Sequence, residues 1–241
     1  MASLALIRAQ VESQLPGALT TYSRAEREML LTGIPAIDEE TGGIPKSALT
    51  QICAPVGNSS GKTTLLLSLM AQATRRGEFT ALIDAGDCFD PVSADAAGVE
   101  LSHVLWVRCG ERPGMRLLEQ AFKAADILIQ NGGFGLIAVD LGNSEDRLIR
   151  KIPLTTWFRF ARVVEKLPAA LVFLSSSPAA RSCASLTLQL DGGSACWQED
   201  GALAHTQLLT GVNFTAEIVR SSTRKPVQSV RPKFTGRSQW A

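Results

Sequence analysis

The sequence predicts an α/β fold: a mostly parallel sheet flanked by helices on both faces, with antiparallel strands at the C-terminal end. Three observations carry that prediction. Apolar runs of about five residues, such as Leu136–Asp140 and Ala169–Leu174, mark strands buried on both faces. Amphipathic stretches at helical spacing separate them, the βα alternation of a parallel sheet. The final third changes to short strands joined by Gly/Asp turns, as in an antiparallel meander.

The elements follow in order. Residues 3–15 set Leu4, Ile7, Val11 and Leu15 on one helical face with Arg8 and Glu12 opposite, and Pro16-Gly17 ends that helix. Arg24–Leu31 reads as another turn or two of helix. Gly42-Gly43-Ile44-Pro45 is a turn that delivers the chain to a buried strand, Ala48–Ala54. Thr63–Arg75 is helix, Thr80–Asp84 strand, Val92–Ala97 a short helix and Val104–Val107 strand. Met115–Gln130 and Leu154–Leu167 are helices that alternate with the strands Leu136–Asp140 and Ala169–Leu174. Ser185–Leu190, Cys196–Gln198 and Phe214–Val219 are the antiparallel strands. Trp157, Phe158 and Phe160 are assigned to the core.

Composition narrows the function classes. The chain has 241 residues, 45% of them apolar, and a formal net charge of +1, which excludes a uniformly basic nucleic-acid binder and an acidic disordered chain. That average hides an asymmetry. No acidic residue follows Glu217, yet Arg220, Arg224, Lys225, Arg231, Lys233 and Arg237 do, a tail of +6. The remaining 18 Lys and Arg face 23 Asp and Glu, so the body is acidic. No apolar run approaches the ~18 residues of a spanning helix, and the N-terminus lacks the features of a signal peptide, so the expected location is cytoplasmic. Cys53, Cys88, Cys109, Cys183 and Cys196 are odd in number and form no C-x-x-C pair; reduced core thiols are expected. His103 and His205 have no ligand-like spacing.

The strongest chemical signal is Ser59-Ser60-Gly61-Lys62-Thr63-Thr64, set between a strand and a helix. Such a loop turns its N–H groups around a polyphosphate, and the helix N-terminus adds a favourable field. Lys62 would reach the terminal phosphates of ATP, and the Thr63 hydroxyl would hold Mg2+. Asp140, at the end of an apolar strand, is the partner carboxylate. The full pattern places glycine five residues before Gly61, where this chain has Val56, with Gly57 one place late. A β-branched residue adopts positive φ poorly, so nucleotide binding is expected to be weak or absent.

Together these residues resemble the RecA recombinase core. The likeness runs through Thr32-Gly33, Asp38 and Gly43-Ile44-Pro45, the phosphate loop, Ile83-Asp84-Ala85 with Asp90-Pro91, and Ala138-Val139-Asp140. It continues to Ala184–Leu188 and Ala216–Arg220, covering about residues 30–234. The resemblance implies a RecA-type phosphate-loop NTPase fold and adds Asp90 to the nucleotide-binding set. It divides the chain into an N-terminal helical segment (1–30), a RecA-like core (31–220) and a basic C-terminal tail (221–241).

The departures from the family pattern carry the functional expectation. Gly86 stands where recombinases have the glutamate that activates water, and the neighbouring Asp87 could substitute only if its turn rotated it inward. Ser93 replaces the aromatic that stacks on adenine, and Ser176 the glutamine that senses the γ-phosphate. The two strand-exchange loops are represented by Leu141–Pro153 and the short Ser176–Cys183, neither with an aromatic for base stacking. A RecA core so altered resembles the ImuA group. That implies an accessory role in the bacterial DNA-damage (SOS) response and translesion synthesis, beside an error-prone polymerase, an inactive Y-family polymerase homologue, RecA and DNA. The alternative is an active DNA-dependent ATPase of the recombinase type.

Two further features stay open between readings. Arg159, Arg162 and Lys166 form one helix face, either solvated or a phosphate or partner surface. In the tail, Arg224, Lys225, Arg231, Lys233 and Arg237 suit DNA phosphates or a docking partner, with Trp240 as an anchor. Pro226 and Pro232 prevent a single helix there, so part of the tail is expected to be strand.

Overall fold

The computed structural model describes residues 4–15, 27–55, 60–110, 114–142, 144–197, 209–222 and 233–239. Val56, Gly57 and Ser59 of the loop, Arg224, Lys225 and Arg231 of the tail, and Trp240 lie outside them. In chain order the elements are α1 (Leu4–Gln14), β1 (Met29–Leu30), α2 (Pro35–Thr41), β2 (Ile44–Pro45), β3 (Ala48–Cys53) and α3 (Lys62–Arg75). Then come β4 (Thr80–Asp84), α4 (Pro91–Ala96), β5 (Val104–Arg108), α5 (Met115–Asn131), β6 (Leu136–Asp140), α6 (Asp146–Ile149), α7 (Leu154–Val164) and β7 (Ala170–Ser175). The last three are β8 (Leu186–Trp197), β9 (Leu209–Ser221) and β10 (Lys233–Gln239).

One eight-stranded sheet has the order β10-β9-β8-β3-β7-β6-β4-β5. Strands β8, β3, β7, β6, β4 and β5 run parallel, while β9 pairs antiparallel with both β8 and β10, so the predicted mixed architecture is the observed one. Because side chains alternate along a strand, each central strand feeds two cores. On one face Ile52, Leu82, Ala138 and Val172 pack against α3, whose Leu65, Leu69 and Met70 are fully buried. On the other, Leu49, Ile83, Val139 and Phe173 pack against α5 and α7. There Trp157, Phe122 and Phe173 meet with ring centroids 5.0–5.5 Å apart, a compact aromatic centre.

Several expectations are corrected. Met29–Leu30 are not helical: they pair antiparallel with Ile44–Pro45 in a separate two-stranded sheet, a tertiary pairing that overrides local propensity. The Asp191-Gly192-Gly193 segment is no turn. It lies inside the single strand β8, where the register to β9 shifts between Asp191 and Ser194 as in a bulge. Phe158 is exposed, because the buried face of α7 is Trp157, Phe160 and Val164 and the residue after Trp157 rotates off it. Cys88 is exposed as well, whereas Cys53, Cys109 and Cys183 are buried free thiols. Burial pushes the Cys53 thiol up to about 12, so it is inert at neutral pH.

The segment that resembles the opening of the RecA core is a structural clasp. Asp38 on α2 accepts hydrogen bonds from the Thr32 N–H (2.8 Å), the Thr32 hydroxyl (2.9 Å) and the Gly33 N–H (3.0 Å). Ser68 on α3 donates to the Thr32 carbonyl at 2.6 Å. These bonds tie α2 to the helix that begins at the phosphate loop. In the tail, residues 233–239 form β10 at the sheet edge, with Lys233 opposite Glu217 and Arg237 opposite Asn213.

Candidate functional site

The parallel strands β3, β6, β7 and β4 all end on one side of the sheet, and the sequence motifs gather there. After β3, Gly61 adopts a left-handed conformation (φ 75°) and starts α3. A Cβ at Gly61 would lie 2.8 Å from the buried ring of Phe214 on β9, so glycine is required by packing as well as by φ. No side chain among the described residues caps α3, whose first N–H groups can receive an anion. Ser60 is buried, Lys62 and Thr64 are half-buried, and Thr63 is exposed.

Lys62 extends along the helix mouth, its Nζ 3.5 Å from the carbonyl of Gly142. Gly142 follows β6, and its N–H donates to Asp140 Oδ1 at 2.9 Å. Burial pushes the Asp140 carboxyl above its ordinary value of 3.8, opposed by Lys62 and the Gly142 N–H and reinforced by Asp84 on the adjacent strand. The loop lysine and the strand-end carboxylate therefore share one electrostatic neighbourhood. No hydrogen bond joins Thr63 to Asp140 among the described residues. The donor set fits a polyphosphate: free helix N–H groups, Lys62, and the oxygens of Thr63 and Asp140 for a magnesium ion.

The turn after β4 is built for a different purpose. Asp84, 2% exposed, accepts the N–H groups of Cys88 (3.1 Å) and Phe89 (2.9 Å) and the indole N–H of Trp106 (3.3 Å). It organises the turn. Asp87 does not rotate inward. Its two oxygens accept from Arg108 Nε and NH2, each at 2.6 Å, toward the outer strand β5. That guanidinium holds Asp87 below the usual carboxylate range. At Gly86, a Cβ would lie 3.2 Å from Gly142 Cα; a Cβ on Gly142 (φ 60°) would lie 2.9 Å from Gly86 Cα. The two backbones pass so closely that side chains on either are excluded without movement.

Asp90 is the N-cap of α4, its carboxylate accepting from the Ser93 hydroxyl and from the N–H groups of Ser93 (3.0 Å) and Val92 (3.3 Å). Those bonds lower its pKa, Ser93 contributing most. Ser176 stitches the two loop regions together: its hydroxyl lies 3.2 Å from both the Ser144 carbonyl and Asp146 Oδ1. Arg159 is paired with Asp126 on α5 at 2.8 Å, while Arg162 and Lys166 are exposed.

Sequence reasoning missed Gln51. It is fully buried on β3, where its Nε2 donates to the Ser175 hydroxyl (2.9 Å) and the Ser177 carbonyl (3.0 Å). Its Oε1 accepts the Ala180 N–H at 2.9 Å. A glutamine inside an otherwise apolar strand was the available signal, since a buried amide requires partners. It fixes the connection after β7.

Fold and site define a phosphate-loop α/β domain with the loop, the strand-end carboxylate and the antiparallel closure on one sheet. The RecA N-terminal domain family matches residues 16–145, more than half of the chain, and the chain belongs to that family. It is 36% identical over 115 residues to Protein RecA of Methylococcus capsulatus, covering 47% of this chain and 31% of that protein. To Protein RecA of Treponema pallidum it is 29% identical over 196 residues, 73% of this chain and 46% of the relative. Protein RecA of Rickettsia bellii matches 99 residues at 40% identity, 41% and 26% of the two chains. The matched stretch spans less than half the length of each of these curated relatives. No helix among the described residues is long and apolar enough to cross a membrane.

Proposed function

We propose that this chain is a RecA-related accessory protein of the ImuA type, acting in the bacterial SOS response and translesion synthesis. It binds ATP and Mg2+ weakly or not at all, and works in the cytoplasm through contacts with other damage-tolerance proteins. Its partners in this reading are an error-prone polymerase and an inactive Y-family polymerase homologue, with RecA and DNA as further contacts. Arg224, Lys225, Arg231, Lys233 and Arg237 supply the charge for DNA or partner contact.

The observation that carries the reading is the turn after β4. Gly86 lies against Gly142, and Asp87 is drawn to Arg108, so that turn directs no carboxylate at a water beside a bound phosphate. Losing a general base typically removes a factor of about 10²–10⁴ in rate. When ATP binds, Ser60, Gly61, Lys62, Thr63 and Thr64 hold its phosphates, with Ser59 and Asp90 in the same proposed set; Thr63 and Asp140 hold the magnesium. That ion would neutralise phosphate charge. Lys62 and the helix N–H groups do the orienting.

ATP turnover with and without single-stranded DNA tests the reading. Negligible turnover in both is expected. Substantial DNA-stimulated hydrolysis abolished by Lys62→Ala would establish the active ATPase instead.

A further inference from the structure

A groove of about 490 Å³ runs between the two connections that leave β6 and β7. Its lining carries Arg150, Lys151 and Arg181, all exposed. Arg150 is balanced by Asp146 at 2.8 Å, but neither Lys151 nor Arg181 has an ion-pair partner among the described residues. The lining also holds the apolar Ile152, Leu154 and Pro178. Leu154 is 37% exposed, and one helical turn on along α7 stands Phe158, 48% exposed. Spacing of i and i+4 puts those two side chains on one face, roughly 5–6 Å apart at Cβ.

The groove is also held in shape before anything binds. Gln51 fixes the connection after β7 from below, and Ser176 ties it to Ser144 and Asp146. Such bracing lowers the entropic cost of docking a flexible ligand.

We propose that this groove docks a short linear peptide that carries carboxylates beside a bulky apolar residue. The carboxylates meet Lys151 and Arg181, and the apolar side chain lies against Leu154 and Phe158. Charge complementarity selects an acidic occupant. Two features favour a peptide over a nucleic acid. The lining includes the apolar Ile152, Leu154 and Pro178, which a phosphate backbone would leave unused. Its two unbalanced cations line one groove instead of tracking a phosphate backbone. The proposal rests on the accessory reading and names the chemistry of one partner contact.

The test pans phage-displayed random dodecapeptides on the full chain, then measures affinity of the enriched peptides as synthetic, labelled probes. Enrichment of sequences combining Asp or Glu with Leu, Ile or Phe is expected. Affinity should fall about tenfold or more in Lys151→Glu/Arg181→Glu and in Phe158→Ser, and should weaken with added salt. Lys151→Gln/Arg181→Gln, a milder change at exposed positions, gives the same direction should charge reversal disturb folding. Enriched peptides without acidic residues, no enrichment, or equal binding to the double variants would overturn the proposal. So would loss of oligo(dT) binding in the double variants with peptide binding untouched, which identifies a nucleic-acid groove. Turnover separates the two readings: a non-hydrolysing chain that captures no acidic peptide loses the groove and keeps the accessory role. A chain that hydrolyses ATP on DNA loses the accessory role whatever the peptides do.

Discussion

The two sides of the sheet's C-terminal rim have been treated differently. On the β3 side, Gly61 and Lys62 open a helix, and Lys62 reaches across to the segment after Asp140. On the β4 side, three carboxylates are engaged within the chain. Asp84 organises a turn, Asp87 holds Arg108, and Asp90 caps a helix. Holding a phosphate needs N–H groups and a cation that a helix start supplies almost without cost. Hydrolysing one needs an additional oxygen aimed at water, and Asp84, Asp87 and Asp90 each have their oxygens engaged within the chain. Binding and chemistry are thus separable within a single rim.

Four substitutions break or sharpen that contrast. Gln51→Ala should have the largest effect, since it strands the Ala180 N–H and empties the space of a fully buried side chain; a loss of about 3 kcal/mol in denaturant unfolding is expected. An unchanged midpoint would mean that the loop after β7 is not fixed from β3. Gly142→Ala, at φ 60° and against Gly86, should cost about 1–3 kcal/mol by the same measurement. Full stability there would dissolve the close backbone approach.

Asp140→Asn should act in the opposite direction. Burial raises the Asp140 pKa, so the folded state keeps this proton to a higher pH than the unfolded state does. The group's contribution is most favourable below the ordinary value of 3.8 and declines as pH rises through the raised value. The asparagine variant should therefore melt above the parent at pH 7, with the gap closing toward pH 4; a gap that widens on acidification would refute the assignment. Smallest is Asp87→Asn. It should remove the pair with Arg108 while leaving stability and ATP turnover nearly unchanged, because both partners are exposed. A drop in turnover would restore Asp87 to the chemistry.

Much of this was legible in the sequence, and for identifiable reasons. Ala170–Leu174 and Leu136–Val139 are apolar throughout because both faces are covered, and that pattern survives without tertiary information. The pairing of Met29–Leu30 with Ile44–Pro45 was not legible, since two-residue strands have no period. Asp191-Gly192-Gly193 has turn composition, yet β9 pairs beside it and carries the strand through. At the site, Lys62 and Asp140 announced themselves by motif and context. The approach of Gly86 to Gly142 could not, because it joins two loops 56 positions apart through backbone alone.

That last contact couples the two halves of the rim. A side chain added at Gly86 presses on Gly142, the residue whose carbonyl faces Lys62 and whose N–H serves Asp140. A Cβ there would sit 3.2 Å from Gly142 Cα, so the backbone after β6 has to yield slightly to admit it. The glycine pair is therefore a mechanical link: a change in the turn after β4 is felt first where Lys62 and Asp140 meet the backbone.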